Sequence, residues 1–208
     1  MLRVAVLVSG GGTNLQAIID KMEAGYMPEA SIVSVVASKP EAYALERAKK
    51  HGIPTKVIPR KEYADNQEFS QAILEYLQSQ HVDLIILAGF MYILSSDFIK
   101  AYENRMLNVH PALIPSFCGP GFYGLTPHVK ALEYGVKVVG ATVHFVTEEC
   151  DGGPIILQKA VAVEEGDTPE ILQKRVMEEA EWEILPEAIK LISEGKVHVQ
   201  GRIVHIEA

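Results

Sequence analysis

Short apolar runs alternate with amphipathic segments along the first half of the chain. Residues 2–8 (LRVAVLV) form a β-branched apolar run, and the glycines Gly10 to Gly12 follow it directly. From Asn14 to Met22 the apolar positions recur at helical spacing, which predicts a helix. The start of the chain therefore predicts a strand, a glycine turn and a helix.

The same alternation continues as far as residue 111. Further strands are predicted at residues 31–38, 54–59, 82–90 and 106–111, and further helices at residues 43–52, 68–80 and 95–105. Continuous apolar strands separated by helices are typical of a parallel sheet that is covered on both faces. The predicted fold class is α/β, with a Rossmann-like, mostly parallel sheet and helices on both faces.

The pattern changes from about residue 136. Two β-rich runs joined by an acidic, glycine-containing turn predict an antiparallel pair of strands. Thr168 and Pro169 predict the start of a helix, and Pro186 predicts a break or kink further along it. The tail alternates like a hairpin that turns at Gln200 and Gly201. Because no linker separates the halves, the sequence predicts one domain, 1–208, with an antiparallel C-terminal elaboration.

Composition narrows the class of protein without indicating a reaction. The 208 residues carry a net charge of -8, which argues against a broad surface for nucleic acid or anionic membranes. Cys118 and Cys150 form no CxxC or Cys/His ligand spacing, which favours a reduced cytoplasmic protein without a required metal. The apolar run at the N-terminus is too short to span a membrane and lacks a signal-peptide cleavage region.

The glycine loop, SGGGTNL, places main-chain N–H groups at the start of a helix, where an anion can bind. Gly10 and Gly12 fit a dinucleotide fingerprint, but Leu15 stands where the third glycine belongs, and no P-loop lysine is present. The loop thus favours a single phosphate. The alternative is a tight strand-to-helix turn with Asn14 as the helix cap.

Asn108 and His110 lie two residues apart at the end of a predicted strand, so their side chains are expected on the same side. An amide donates hydrogen bonds without titrating, whereas an imidazole exchanges a proton near neutral pH. Together they suit a reaction in which a carbonyl oxygen gains negative charge. Asp151, in a glycine turn, is a further candidate, although an Asp before Gly-Gly is also an ordinary turn residue.

Five segments together resemble the folate-dependent formyltransferases, in particular their glycinamide ribonucleotide branch. They cover the chain in order and read VLVSGGGTNLQAIID, LAGFMYIL, NVHPALIPSF, ATVHFVTEECDGGPIILQ and GDTPEIL. The resemblance implies an enzyme of purine biosynthesis with 10-formyltetrahydrofolate as co-substrate and the amine of glycinamide ribonucleotide as acceptor. Its partners are then small molecules, and the oligomeric state stays open.

The resemblance also implies roles for individual residues. Asn108, His110 and Asp151 match the family's catalytic trio. The residues implied for ribonucleotide binding are Gly12, Thr13, Asn14 and Glu181. The residues implied for folate binding are Met91, Tyr92, Ile93, Leu94, Asn108, Thr147, Glu148, Glu149 and Cys150. Residues 1–110 are then expected to form the ribonucleotide-phosphate half and residues 111–208 the folate side with the C-terminal elaboration.

The chain departs from the family pattern in three places. Tyr92 stands where relatives often carry Arg. Asn66 falls where many carry a substrate-site Arg, and Arg60 is a possible alternative source of that charge. The stretch from Cys118 to Thr126 is longer than usual, which leaves a role for His128 open. His144 is interpreted as a core residue or as one that supports the site.

Two other functions compete with the main interpretation. One is the same chemistry on another amine acceptor, such as methionyl-tRNA or an amino sugar. The negative charge and the absence of a basic C-terminal domain argue against tRNA. The other is a non-catalytic nucleotide-binding module that uses the glycine loop alone, against which the presence of Asn108, His110 and Asp151 argues.

Overall fold

The structure, a computed structural model, describes residues 1–207. Its strands are β1 (Leu2–Val8), β2 (Ala30–Ala37), β3 (Thr55–Val57), β4 (Leu84–Leu87), β5 (Met106–His110), β6 (Val138–Phe145), β7 (Ile155–Ala162), β8 (Val197–Gln200) and β9 (Ile203–Ile206). Its α-helices are α1 (Thr13–Glu23), α2 (Ala44–Lys50), α3 (Asn66–Ser79), α4 (Ser96–Ala101), α5 (Thr126–Tyr134), α6 (Pro169–Val176) and α7 (Trp182–Ser193). A 3₁₀ turn spans Arg60–Glu62, and a π-helical turn spans Met177–Glu181.

Seven strands form one sheet in the order β3-β2-β1-β4-β5-β6-β7, and β8 pairs with β9 in a separate antiparallel sheet. β1 runs parallel to β2 and β4, β2 to β3, and β4 to β5, whereas β6 and β7 are antiparallel. The predicted α/β, mostly parallel fold is confirmed. Strand order reverses between β1 and β4, and ligands of such sheets bind beyond the carboxyl ends of the strands at that point.

The first compact unit, Met1–Asn108, is built around the centre of the parallel sheet. All five residues from Val4 to Val8 in β1 have no exposed surface, as expected for a parallel strand covered on both faces. Leu15 and Ile18 of α1 and Phe69 of α3 are equally buried. The apolar run and the helical spacing in the sequence thus account for this core.

The second compact unit begins at Val109, inside β5. Its core includes the inward positions of β6 and the apolar faces of α6 and α7, among them Val143, Leu172 and Leu185, which have no exposed surface. Thr168 caps α6 as predicted, since its side chain accepts a hydrogen bond from the Ile171 N–H. That the whole of residues 1–208 forms one domain stays a prediction.

The structure differs from the sequence prediction in the second unit. Helix α5 was not predicted, because the glycines and Pro127 around its start are typical of loops. Pro186 lies inside α7, so the predicted break there is wrong, whereas the alternative of a kink stays a prediction. The irregularity lies upstream instead, at the π-helical turn before α7, and π-bulges are a recognised cause of helix distortion. Within residues 1–207, no helix has both the length and the apolar character that a membrane span needs.

Candidate active site

The glycine loop connects β1 to α1 at the point where strand order reverses. Gly12 is the N-cap residue of α1, with φ of 73°, and no side chain caps this helix, so Asn14 is not the cap, while the choice between a phosphate loop and a plain turn stays a prediction. A Cβ on Gly12 would lie 2.6 Å from the Cβ of Ala44 in α2, whereas a Cβ on Gly10 or Gly11 would meet nothing within 4 Å. The fold itself therefore requires Gly12, while Gly10 and Gly11 border open space. Thr13 and Asn14 begin α1.

The Met91–Leu94 segment follows β4, the strand next to β1. The Met91 N–H donates a hydrogen bond of 3.0 Å to the Ser9 Oγ, which lies 2.8 Å from the Ser38 Oγ. Met91 and Ile93 are 55% and 76% exposed, whereas Leu94 is buried. The segment thus presents apolar side chains and main-chain groups on the surface of the first unit, which suits a flat aromatic ligand.

Tyr92 packs on an aromatic cluster of the same unit. Its ring centroid lies 5.4 Å from that of Phe69 and 5.9 Å from that of Phe90, with edge-to-face geometry in both pairs. Arg60 also contacts this cluster, because its guanidinium lies 5.8 Å from the centroid of the Phe69 ring. Tyr92 and Arg60 also line a small cleft of ≈ 110 Å³ together with Lys39 and Lys61. Tyr92, a departure from the family pattern, and Arg60, the possible substitute for the missing Arg, therefore line the same cleft.

Asn66 is the first residue of α3, where the Asp65 side chain caps the helix. Unlike Arg60, it does not line the small cleft. The Arg60 Nη1 donates a hydrogen bond of 2.9 Å to the Tyr63 carbonyl, which fixes the guanidinium at the 3₁₀ turn. Asn66 carries no charge, and the replacement of the family's Arg by Arg60 stays a prediction.

Strand β5 carries both Asn108 and His110. Asn108 lies opposite Leu87 of β4 in the parallel pairing and is partly exposed. His110 is 4% exposed, and its Nε2 lies 2.8 Å from the Phe117 carbonyl oxygen. Because a carbonyl only accepts, Nε2 carries the proton of this hydrogen bond, and Nδ1 is the atom that faces Asp151. Both ring nitrogens of His110 therefore face protein oxygen atoms, Nε2 the Phe117 carbonyl and Nδ1 the Asp151 carboxylate.

Asp151 lies in a tight turn between β6 and β7, with a φ of 54°. Its Oδ2 accepts a hydrogen bond of 2.9 Å from the Gly119 N–H and lies 3.6 Å from the His110 Nδ1. Gly153, two residues after it, is required by space, since a Cβ there would collide with the Phe145 carbonyl oxygen. The turn therefore brings Asp151 to His110, which spacing in the sequence left open.

His144 approaches Asp151 from the other side. It is 2% exposed, its Nδ1 lies 2.8 Å from the Phe145 carbonyl oxygen, and its Nε2 lies 3.6 Å from the Asp151 Oδ1. The interpretation of His144 as a core or supporting residue is therefore sharpened, because it contacts the candidate acid directly. A histidine inside a continuous apolar strand run was the signal in the sequence.

The surroundings of Asp151 keep its carboxylate charged. Burial raises the pKa of Asp151, but the hydrogen bonds from His144 and the Gly119 N–H and the charges of His110 and His144 together outweigh burial and lower it below the ordinary value. A negative charge thus lies between two buried imidazoles. This arrangement can hold a proton and stabilise positive charge on an imidazole during a reaction.

The expected folate segment of the second unit leads into this turn. Thr147 is partly exposed, and Glu148, Glu149 and Cys150 are exposed. The Glu149 carbonyl accepts hydrogen bonds from the Gly152 N–H and the Thr147 hydroxyl. The segment is therefore a tight, surface turn whose main chain is held by its own neighbours.

Glu181 ends the π-helical turn, and it is only 6% exposed. A carboxylate this deeply buried is uncommon unless it is hydrogen-bonded or charge-paired. π-helical turns frequently occur at functional sites. The structure therefore gives Glu181 an unusual local setting, and its role toward the ribonucleotide stays a prediction.

His128 lies in α5 and is 1% exposed. Its Nε2 is buried without a hydrogen-bond partner, and burial, together with the charge of His110, lowers the pKa of His128 to about 4. It lines a cavity of ≈ 90 Å³ together with Pro111, Phe117 and Val139. His128 is therefore a neutral core residue near the candidate trio. Among residues 1–207, no group of three or more His, Cys, Asp or Glu side chains is arranged to hold a metal ion.

Comparisons with known proteins agree on one family. The formyl transferase family model matches residues 2–189. Phosphoribosylglycinamide formyltransferase of Haemophilus influenzae is 42% identical over 207 residues, which cover 100% of this chain and 94% of that protein. The trifunctional purine biosynthetic protein adenosine-3 of Gallus gallus is 47% identical over 198 residues, which cover 95% of this chain but only 19% of that longer protein. The crystal structure of glycinamide ribonucleotide transformylase 1 from Symbiobacterium toebii superposes with a TM-score of 0.94 and 45% identity, covering 100% of this chain and 95% of that one.

Proposed function

Because the chain belongs to the formyl transferase family, we propose that it transfers the formyl group of 10-formyltetrahydrofolate to the amine of glycinamide ribonucleotide in purine biosynthesis. The observation that carries the proposal is the charged Asp151 carboxylate between the imidazoles of His110 and His144, each 3.6 Å away. A related protein of nearly the same length, from Haemophilus influenzae, bears the name of this activity. The proposal includes small-molecule substrates only, no metal, and a cytoplasmic location.

In the proposed reaction, the ribonucleotide amine attacks the formyl carbon. A new C–N bond forms, the bond from the formyl carbon to the folate nitrogen breaks, and one proton passes from the amine to the leaving nitrogen. The Asn108 amide donates a hydrogen bond to the oxyanion of the tetrahedral intermediate. Either His110 or a water held by Asp151 transfers the proton, and Asp151 stabilises the positive charge that develops on the His110 ring.

The same proposal assigns the two ligands to separate segments. The phosphate of the ribonucleotide is assigned to Gly12, Thr13 and Asn14, because a glycine loop at a helix N-terminus directs N–H groups toward an anion. The folate is assigned to the exposed segments Met91–Leu94 and Thr147–Cys150. Glu181 is assigned to the glycinamide portion of the substrate.

A turnover assay with three acceptors tests the proposal. The purified protein is incubated with 10-formyltetrahydrofolate and either glycinamide ribonucleotide, an amino sugar or methionyl-tRNA, and the folate product is followed by absorbance. We expect turnover with glycinamide ribonucleotide and little with the other two. Turnover restricted to another acceptor would replace the substrate, and no folate-dependent turnover with any acceptor would favour a non-catalytic nucleotide-binding module.

A further inference from the structure

Three consecutive carbonyl groups of the glycine loop are each held by a helix of the first unit. The Gly10 carbonyl accepts a hydrogen bond of 3.1 Å from the Ala44 N–H, at the start of α2. The Gly11 carbonyl accepts one of 2.8 Å from the Arg47 Nε, and the Gly12 carbonyl accepts one of 2.9 Å from the Gln16 N–H of α1. Of these three bonds, the central one is the only one that a side chain makes.

The direction of these carbonyls sets the direction of the N–H groups. In a trans peptide unit, the C=O of one residue and the N–H of the next point in opposite directions. Fixing the carbonyls of Gly10, Gly11 and Gly12 against α2 and α1 therefore turns the N–H groups of Gly11, Gly12 and Thr13 the other way. Successive N–H groups that point together form a concave anion site. The central peptide unit depends on Arg47.

Arg47 is itself held in one orientation. Its Nη1 donates a hydrogen bond of 3.2 Å to the Gln16 Oε1, and its guanidinium lies 5.1 Å from the centroid of the Tyr43 ring. Gln16 is fixed in turn, because its Nε2 donates a hydrogen bond of 2.8 Å to the Asp20 Oδ1. A planar guanidinium can use two nitrogens and its stacking face at once, and a lysine ammonium cannot reproduce this geometry. The arrangement therefore needs arginine rather than a positive charge alone.

From this geometry we propose that Arg47 is a positioning residue for the phosphate of the ribonucleotide, acting through the Gly11 carbonyl. The inference rests on the proposed function, since it takes the glycine loop as the phosphate site. It goes further in assigning phosphate affinity to a side chain outside that loop. Arg47 orients the Gly11–Gly12 peptide unit, and the oriented N–H groups bind the anion.

The test compares native protein with Arg47→Lys, which keeps the charge, and Arg47→Met, which removes it. Lys49→Met is the matched control, because Lys49 lies on the same helix, is largely exposed and pairs only with Glu46. Calorimetric titration with glycinamide ribonucleotide gives affinity, and steady-state assays give kcat and both KM values. Amide hydrogen exchange of residues 10–14 in the free protein reports the order of the loop, and thermal unfolding confirms that each variant is folded.

Both Arg47 variants should lose ribonucleotide affinity on the order of tenfold, the size expected for a hydrogen bond with a charged donor. The KM for ribonucleotide should rise in parallel, whereas the KM for folate and the kcat at saturation should stay near native values. Amide exchange in the loop should be faster in both variants, and Lys49→Met should match native protein throughout.

Three results would overturn the inference. Native affinity in Arg47→Lys, with loss only in Arg47→Met, would mean that charge alone matters. A fall in kcat together with equal rises in both KM values would mean a general structural defect. Native affinity in both variants would mean that the loop is ordered without Arg47. If the native protein itself does not bind glycinamide ribonucleotide, the proposed function fails, and the inference fails with it.

Discussion

The two units hold their candidate residues by different means. In the first unit, the glycine loop offers main-chain groups, and its shape is fixed by close packing of α2 on Gly12 and by hydrogen bonds to the loop carbonyls. In the second unit, the candidate residues are titratable side chains, with Asp151, whose side chain is 10% exposed, between two buried imidazoles. The first arrangement does not titrate, and the second does. Substitutions in the first unit should therefore change affinity, whereas those in the second should change rate and its dependence on pH.

The largest effect is expected for Asp151→Asn, which keeps the shape and removes the charge. Losing a charged group that supports proton transfer should lower kcat by roughly a hundredfold or more. Because the pKa of Asp151 is lowered, its carboxylate is charged at neutral pH, and protonation at acid pH should abolish its contribution. The part of the fall in kcat at acid pH that comes from protonation of Asp151 should therefore be absent in the variant. Steady-state kinetics across pH measure both effects.

Glu133→Gln is the control for this charge change, because Glu133 is exposed and pairs with Lys130 on α5. It should leave kcat and the pH profile unchanged. If Asp151→Asn also behaved like the native enzyme, Asp151 would be a turn residue and the contrast between the units would be lost.

His144→Phe should have the next largest effect. The change keeps a buried ring but removes the Nε2 that lies 3.6 Å from the Asp151 Oδ1. We expect kcat to fall about tenfold, the lower range for a lost hydrogen bond with a charged group. Since His144 is expected to act through Asp151, the two substitutions should not be additive. Equal fold losses for His144→Phe in native and Asp151→Asn backgrounds would contradict this route.

Within the glycine loop, Gly11→Ala should lower ribonucleotide affinity, whereas Gly12→Ala should lower stability. Alanine at position 11 meets no protein atom within 4 Å, so stability should stay native while ribonucleotide affinity falls about tenfold by crowding of the anion. Alanine at position 12 meets Ala44 and must adopt a positive φ, so unfolding free energy should fall by about 1–3 kcal/mol. Urea unfolding and calorimetric titration of both variants distinguish the two effects. Normal ribonucleotide binding by a folded Gly11→Ala protein would argue against the phosphate assignment.

The smallest effect is expected for His128→Leu. The native Nε2 is buried without a hydrogen-bond partner, so the variant should be more stable at neutral pH by about 1 kcal/mol. The folded-state pKa of about 4 lies below the ordinary value, so the unfolded state binds the proton more readily between these values. Native protein should therefore lose stability as pH falls from about 6.5 to about 4.

Urea unfolding at several pH values checks this prediction, with His205→Asn as the control on the exposed β9 strand. Over the acid range, His128→Leu should lose less unfolding free energy than native protein. His205→Asn should lose as much as native protein. A variant that is less stable than native protein at every pH would indicate that the His128 ring makes contacts that the core needs.

Much of the fold was predictable because its first half repeats one signal. Apolar runs and helical spacing identified β1 to β5 with only their ends displaced, since buried parallel strands are apolar throughout. Helix α5 was missed because Gly121, Gly124 and Pro127, which precede or begin the helix, are residues typical of loops. The break expected near Pro186 was wrong, because the helix is interrupted earlier, at the π-helical turn before α7, which the sequence does not reveal.

The candidate site was predictable in kind but not in arrangement. The alternation along β5 correctly put Asn108 and His110 at a strand end, and the resemblance supplied Asp151 as their companion. No periodic signal connects β5 with the turn after β6, so the approach of Asp151 to His110 came only from the structure. The same holds for His144, whose Nε2 faces Asp151 because β6 leads directly into that turn. Long-range contacts of this kind depend on turn geometry, such as the positive φ of Asp151.

The small β8–β9 sheet matters for anyone who chooses where to end a recombinant version of this protein. The Arg202 Nη1, at the tip of that hairpin, donates a hydrogen bond of 2.8 Å to the Gly152 carbonyl, one residue beyond Asp151. A version shortened to the end of α7 would keep every strand of the large sheet and would look complete by its fold. It would nevertheless lose an outside support of the Asp151 turn. Boundaries drawn from the main sheet alone therefore risk trimming away part of what holds the carboxylate in place.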